Sequence, residues 1–416
     1  MTGAARVVLL LLLLAVAALL LLAGAGAFTT RAGDADDEAL VARVNSAVRA
    51  VRGAATNPEF RKAGELRPLL SDAGVGGDAV AASRNGGRVL VVGDAVVRRV
   101  GGAGADLSVE HRVAPPEGME LVRGASDVSP NGRYAAFVVR DPAAVDDYVE
   151  LWPSGDRLSA PWHGAPHRAT FDRDDDLSLY VTFLDQANCG TVAHYRRTTD
   201  AGTGADAWNI VQAVVSPDTS PLNMFGNTVH AAGNSMFVAS MTSVVYYRRD
   251  GRRADWVRAQ AVLPPVPAMS TPWYGMSVAV APSGNVCFVG SPYAGVNDAE
   301  HSGVVYAFVR ESARHRWVPV ESPIVSPAGP RARAYFGIRM HCEGNHLVVV
   351  ESGEGGENPQ TAYHFNWNDW ALLGTVSASV PGAGIHTGVW RDKGGNIGMA
   401  LGEQSSNEGK LRLFTC

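Results

Sequence analysis

From about Gly74 onward the chain alternates short apolar runs with polar turns, and it does so in a recurring phrase. A small residue or an aromatic-Gly pair opens the phrase, and a polar turn then leads into a continuous apolar run. A second short run with aromatics follows, often with a Trp and a closing Pro. The clearest copy is Tyr274-Gly275-Met276-Ser277-Val278, the turn Pro282-Ser283-Gly284-Asn285, the run Val286 to Val289, and Gly290-Ser291-Pro292. It continues through Gly303-Val304-Val305-Tyr306-Ala307-Phe308 to Trp317 and Pro327. Enrichment in β-branched and aromatic residues between Gly, Pro and Asn predicts strands, and no helical period of useful length interrupts them.

Phe225-Gly226 with Gly233-Asn234 opens a second copy, and Phe336-Gly337 with Gly344-Asn345 and Leu347 to Val350 opens a third. Fainter copies turn at Asn85-Gly86, Asn131-Gly132, Asp174-Asp175 and Gly395-Asn396. From Gly74 to Cys416 the chain averages about 49 residues per unit, the spacing of four-stranded propeller blades. One such unit cannot bury its own apolar faces, whereas units stacked in a closed ring bury them against each other. The expected fold is therefore all-β: a seven-bladed β-propeller of four-stranded antiparallel blades. The last unit offers three strands, Gly384 to Trp390, Ile397 to Ala400 and Leu411 to Phe414. The layout of Phe60 to Pro68 matches that of Trp256 to Pro264, so residues 58–70 are expected to complete the last blade and close the ring.

The chain before the repeats is different. Val7 to Thr30 carries no charge, and its apolar run to Phe28 approaches the ~20 residues that cross a bilayer as a helix. Ala25-Gly26-Ala27 also resembles a signal-peptidase site, so residues 1–30 read as a signal peptide or as a signal-anchor helix. Either reading keeps Arg6 inside and places the rest of the chain outside. Leu40, Val41, Val44, Val48 and Val51 have helical spacing and suggest a short amphipathic stalk within residues 31–57. The propeller then spans 58–416, and the expected location is extracytoplasmic, anchored in the membrane or secreted.

Composition narrows the function classes. At 416 residues, 46% hydrophobic and 19% charged, the chain is globular, and 46 Gly with 23 Pro suit many short strands joined by turns. A net charge of −5 without a large basic patch points away from nucleic acid. Cys189, Cys287, Cys342 and Cys416 contain no Cys-x-x-Cys pair. In an exported protein they allow disulfides whose pairing the sequence leaves open, although Cys287, inside an apolar run, behaves as a small buried hydrophobe.

The phrases Phe225-Gly226-x-x-Val229, Tyr274-Gly275-x-Ser277-Val278 and Phe336-Gly337-x-x-Met340, with Gly290-Ser291-Pro292, resemble the FG-GAP family, the blade unit of the integrin α-subunit head. The resemblance is good over residues 220–350 and only suggestive elsewhere. It implies a propeller of that blade type, and many such blades carry a calcium loop of alternating acids. Asp172, Asp174 and Asp176 match the first three ligand positions, whereas Leu177 stands where the loop needs Gly and Tyr180 where it needs its last acid. Calcium is thus one expectation for this segment and a charged β-turn is the other. No other cofactor is expected.

Familiar catalytic phrases are missing: there is no Gly-x-Ser-x-Gly, no His-Glu-x-x-His and no phosphate-binding Gly loop. His341 and His346 flank a turn beside Cys342 at a spacing that makes a poor metal site, and the pairs Asp146-Asp147 and Glu351-Glu354 read as solvated loop acids. The connections between second and third strands stand out: Asp141 to Asp147, Ser291 to Ser302, Glu351 to Thr361 and Gly402 to Gly409 are polar and should emerge on one face. Tyr293, Asn297, Asp298, Glu300 and His301 form the richest of them and are the candidate ligand-binding residues. Two functions follow. One is a non-enzymatic, surface-displayed or secreted propeller that binds a protein or glycan partner in adhesion or attachment. The other is a secreted hydrolase or lyase with a site at the central axis. A central pocket of clustered His, carboxylate and Arg groups would speak for an axial site, and a flat rim for binding alone.

Overall fold

The computed structural model describes residues 80–415 except 86, 101–105, 123, 143–146, 160–163, 186–189, 200–205, 219, 221–222, 266–272, 321–322, 353–359, 369, 379–383, 392–396 and 405–408. The hydrophobic leader, the stalk and the closing segment 58–70 lie outside the described residues, as do Cys189 and Cys416. Among the described residues there is no helix.

Seven antiparallel sheets follow one another along the chain. The first holds β1 (Val80–Ala82), β2 (Val89–Val92), β3 (Ala95–Val100) and β4 (Asp106–Arg112). The second holds β5 (Glu120–Leu121), β6 (Asp127–Val128), β7 (Ala135–Arg140), β8 (Tyr148–Trp152) and β9 (Asp156–Leu158). The third holds β10 (Ala165–Asp172), β11 (Asp175–Leu184), β12 (Gly190–Thr199) and β13 (Asp206–Val215). The fourth holds β14 (Thr228–Ala232), β15 (Ser235–Ala239), β16 (Val244–Arg248) and β17 (Val257–Val262). The fifth holds β18 (Ser277–Val280), β19 (Val286–Ser291), β20 (Val304–Val309) and β21 (Val318–Pro319). The sixth holds β22 (Arg339–Glu343), β23 (His346–Glu351), β24 (Thr361–Asn366) and β25 (Ala371–Ser377). The last holds β26 (Gly384–Arg391), β27 (Ile397–Gln404) and β28 (Gly409–Thr415). The fold is a β-propeller. The expectation of seven four-stranded blades is corrected: six sheets have four or more strands and the last has three among the described residues.

The strand that opens each sheet lies innermost. β1 neighbours β6, and β10, β14, β18, β22 and β26 continue the circle until β26 meets β1 again. This arrangement explains why the second strands read as unbroken apolar runs rather than alternating ones. In β2 the side chains of Val89 and Val91 pack with Ala135 and Phe137 of the second sheet, while Leu90 and Val92 pack with Trp390 and Ala400 of the last. Both faces of each middle strand are thus buried between neighbouring sheets. The outer strands face a neighbour less fully, and β25 alternates half-buried with exposed positions.

The aromatic-Gly phrase has one geometry in three blades. Met224, Trp273 and Tyr335 adopt φ of 49°, 59° and 51°, and Gly226, Gly275 and Gly337 follow near 90°. Between them Phe225, Tyr274 and Phe336 are buried. Each glycine N–H donates to the end of its own second strand, at Ala239, Gly290 and Val350. The left-handed backbone therefore belongs to the blade rather than to any one site, and a side chain at the glycine would be strained.

Candidate functional site

The inner strands enclose a cavity of about 260 Å³ along the ring axis. Short-period alternation builds its wall. In Arg339-Met340-His341-Cys342, Met340 and Cys342 enter the core while Arg339 and His341 line the cavity. Thr228-Val229-His230-Ala231 does the same with His230, and Arg168 lines it from β10. Asp127 comes from the second sheet, whose inner strand is interrupted between β5 and β6.

One end of this channel is tied shut by charge. Arg84, in the connection after β1, donates Nε and Nη2 to Glu343 at 2.9 and 3.0 Å and Nη1 to Asp174 at 3.0 Å. Arg173 reaches the same glutamate at 3.3 Å. These residues come from the first, third and sixth sheets, so the cluster crosses the axis rather than joining neighbours. A bidentate Arg–carboxylate pair fixes geometry as well as charge.

Deeper in the channel, burial disfavours charged forms. It raises the Asp127 carboxyl to about 6, against the hydrogen bonds it accepts from the Phe171 and Val128 N–H groups at 2.9 and 2.8 Å. Burial, helped by Arg173, Arg339 and Arg168, lowers His341 to about 3, and burial lowers His230 well below its usual value. Both imidazoles are therefore neutral at pH 7. Burial with Arg168 nearby brings Arg339 down to about 10. The Arg168 guanidinium feels Asp127 but has no hydrogen-bonded acceptor among the described residues; each Asp127 oxygen accepts one main-chain N–H.

The inner strands begin on the face where the second and third strands are joined. Trp273 and Tyr335 stand three residues ahead of Met276 and Ile338, which line the channel. Tyr293 packs against them, with ring centroids 5.8 Å from Trp273 and 5.0 Å from Tyr335, and His301 lies 5.4 Å from Tyr293 and 5.9 Å from Tyr335. Main-chain N–H groups of Arg333, Tyr335 and Phe336 donate to the carbonyls of Glu300, His301 and Ser302, so the β19–β20 loop is fastened to the next blade.

Of the five residues singled out in this loop, Tyr293 and His301 share the aromatic cluster and Glu300, largely exposed, stands 3.9 Å from the His301 ring nitrogen. Asn297 and Asp298 sit at the exposed tip of a tight turn between Val296 and Ala299.

The carboxylates of the acidic run each meet a protein group. Arg173 and Asp174 form the turn between β10 and β11. Asp172 is buried against Arg249 at 3.0 Å, Asp174 pairs with Arg84, and Asp176 accepts the Asn131 main-chain N–H at 2.8 Å. Each carboxylate has its own partner, and among the described residues no three His, Cys, Asp or Glu side chains are placed to hold a metal ion. His341 and His346 likewise diverge: the first faces the axis, the second stacks on His364 at 4.9 Å. Glu351, read as a solvated loop acid, is buried and accepts from Ser326 and Arg331. Its expected companion Glu354, like Asp146, lies outside the described residues. Cys287 and Cys342 are free buried thiols, which rules them out of a disulfide pair with each other; burial pushes both upward, Cys342 to about 12.

No protein-family model matches the chain, and no curated protein does. Solved structures do resemble it. The β-propeller domain of Myceliophteria thermophila Cps50 (Swd1) matches with a TM-score of 0.52 at 11% identity over 85% of this chain and 100% of that one. The Neurospora crassa Pan2 WD40 domain gives 0.48 at 11% identity over 86% and 98%, and the Pseudomonas aeruginosa periplasmic gluconolactonase gives 0.47 at 15% over 81% and 94%. At such identities the first likeness speaks for the architecture alone, and the conclusion it supports is that this chain folds as a β-propeller.

Proposed function

We propose that this protein is an extracytoplasmic glycan-binding propeller whose site is the open mouth of the axial channel. The observation that carries the reading is the cluster of Trp273, Tyr293, His301 and Tyr335 on a loop pinned to its neighbour. Aromatic faces offer the apolar side of a sugar ring a flat surface, and the Glu300 carboxylate beside them can accept from hydroxyls. A loop already ordered before binding loses little entropy on capture, which favours a recognition site. The FG-GAP-like phrases and the charge-free leader agree with display outside the cell.

A glycan array with the purified full-length chain tests this. The wild type should retain a defined set of sugars and Trp273→Ala should lose them; retention of the same set by the variant refutes the reading. The convergence of Asp127, Arg168, His230 and His341 at the axis gives the hydrolase or lyase alternative a specific footing, since a flat rim is not what the ring presents. Against it, both Asp127 oxygens are engaged by main-chain donors, and among the described channel residues no Ser, Thr or Cys side chain is hydrogen-bonded to a histidine. Chromatography of retained glycans after prolonged incubation separates the two: intact chains support binding, and shortened or unsaturated products establish catalysis.

A further inference from the structure

Three polar groups on the channel wall lack a protein partner among the described residues. The Arg168 guanidinium has no hydrogen-bonded acceptor there, and His230 Nε2 and Thr387 Oγ1 are buried without one. They come from β10, β14 and β26 and line one cavity. A buried donor or acceptor left unmet is destabilising, and a guanidinium has five donors to satisfy. The carboxylate that draws on Arg168 from inside the channel, Asp127, is held by the Phe171 and Val128 N–H groups instead. The floor behind them is closed by Arg84, Arg173, Asp174 and Glu343, which satisfy one another. A ligand therefore enters from the aromatic mouth, and in the channel it meets Arg168, a guanidinium with no hydrogen-bonded acceptor among the described residues.

We infer that the channel receives the carboxylate end of an acidic sugar, with Arg168 holding the carboxylate and His230 and Thr387 meeting hydroxyls. This deepens the glycan reading and rests on it for the mouth, though the channel contacts stand by themselves. The cavity, about 260 Å³, corresponds to roughly nine water volumes and suits one sugar ring rather than a folded-back chain. A flat carboxylate matches the guanidinium fork, and hydroxyls are what a neutral imidazole and a threonine can serve. The Asp127 carboxylate beside Arg168 disfavours a doubly charged anion more than a singly charged one, which selects carboxylate over phosphate.

Isothermal titration of the full-length protein with D-glucuronate, methyl glucoside and inorganic phosphate provides the test, with Arg168→Met, Arg168→Lys and Trp273→Ala alongside wild type. Glucuronate should bind at least tenfold more tightly than either other probe. Arg168→Met should lose that preference, and Arg168→Lys should recover part of it because charge returns without the fork. A cooperative thermal transition for Arg168→Met confirms that the variant folds, since the change removes no hydrogen bond within the described residues. Equal affinity for methyl glucoside or phosphate overturns the inference, as does unchanged glucuronate binding in Arg168→Met. The two proposals fail separately: array binding lost in Trp273→Ala but indifferent to Arg168 leaves only the mouth, whereas Arg168-dependent glucuronate binding without any array signal leaves only the channel.

Discussion

Arg249 donates to the Asp172 carboxylate at 3.0 Å, and neither side chain reaches solvent. The pair joins the fourth sheet to the third. The same guanidinium bonds the Gly233 carbonyl and lies 4.3 Å over the Trp256 ring, so one residue ties an inner turn, an outer strand and a neighbouring blade. Burial raises the Asp172 carboxyl, opposed by the Asp174 N–H and by Arg249.

Removing one partner leaves a buried charge uncompensated. Asp172→Ala should destabilise the protein by about 3–5 kcal/mol. The double variant Asp172→Ala/Arg249→Met should be clearly more stable than Asp172→Ala alone, because no charge is then stranded. Urea unfolding of the three variants measures this. A double variant no better than the single one would show that packing, rather than charge, holds this joint.

Much of the ring was readable from one chain, and the reasons are local. Turns at Asn131-Gly132, Gly233-Asn234, Gly284-Asn285 and Gly344-Asn345 all fall between first and second strands, because positive-φ residues can be recognised without knowing their surroundings. The three strands expected for the last unit match β26, β27 and β28 to within a few residues. The axial site was not readable. Asp127, Arg168, His230 and His341 are separated by whole blades, and only ring closure brings them together. A local signal did exist: in Arg339-Met340-His341-Cys342 a polar residue alternates with an apolar one inside a strand, which marks two faces, one of them wet. The surroundings of the Asp172 to Asp176 run were not readable for a related reason, since the partners of those acids, Arg249, Arg84 and Asn131, lie on other blades.

Outer strands are joined by a repeated amide clasp. Gln260 accepts from the Trp317 N–H at 2.8 Å and donates to the Trp317 carbonyl at 2.9 Å, as Gln212 does with Trp256 at 2.7 and 3.0 Å. Each clasp supplies strand-like pairing between blades that share no strand. Gln260→Ala should lower stability by about 1–2 kcal/mol with an unchanged urea m-value. A loss below a few tenths would mean water replaces the clasp without penalty.

Titration of buried groups gives the pH profile. Burial lowers His194 and His341 to about 3 and His364 to about 4. Unfolded histidines titrate near 6.5, so the stability these contribute is complete above about pH 6.5 and is lost as pH falls toward 4. Asp127 works oppositely. Its folded value of about 6 exceeds the unfolded ~3.9, so its contribution is present below about pH 4 and disappears as pH rises through 6. His230 is depressed as well and Asp172 is raised like Asp127, so four buried histidines oppose two carboxyls, and the melting temperature should fall between pH 7 and 4.5. Asp127→Asn removes one opposing contribution and should steepen that fall. A wild-type melting temperature that is flat or rises on acidification contradicts the assignment of neutral imidazoles.

The ring seam between the last and first sheets depends on Trp390, which is 1% exposed and packs against Leu90, Val92 and Ala400. It has room only because its neighbours lack side chains: a Cβ on Gly398 would lie 2.0 Å from the Trp390 ring, and one on Gly87 2.5 Å from it. Gly398→Ala must therefore displace the indole, at about 1–3 kcal/mol, and Trp390→Ala should lose about 3–5 kcal/mol by emptying the seam. At Gly374, on the outer strand β25, an added methyl would meet nothing within 4 Å, so Gly374→Ala serves as the control and should change stability little. Thermal unfolding of the three variants ranks them. If Gly398→Ala behaves like Gly374→Ala, the indole is not wedged between the two sheets and the ring is joined there by something other than this contact. The expected role of residues 58–70 as an added outer strand makes a further demand on the same seam: deleting them should lower the melting temperature of wild type well beyond that of Gly374→Ala, since β28 would then present an unpaired edge.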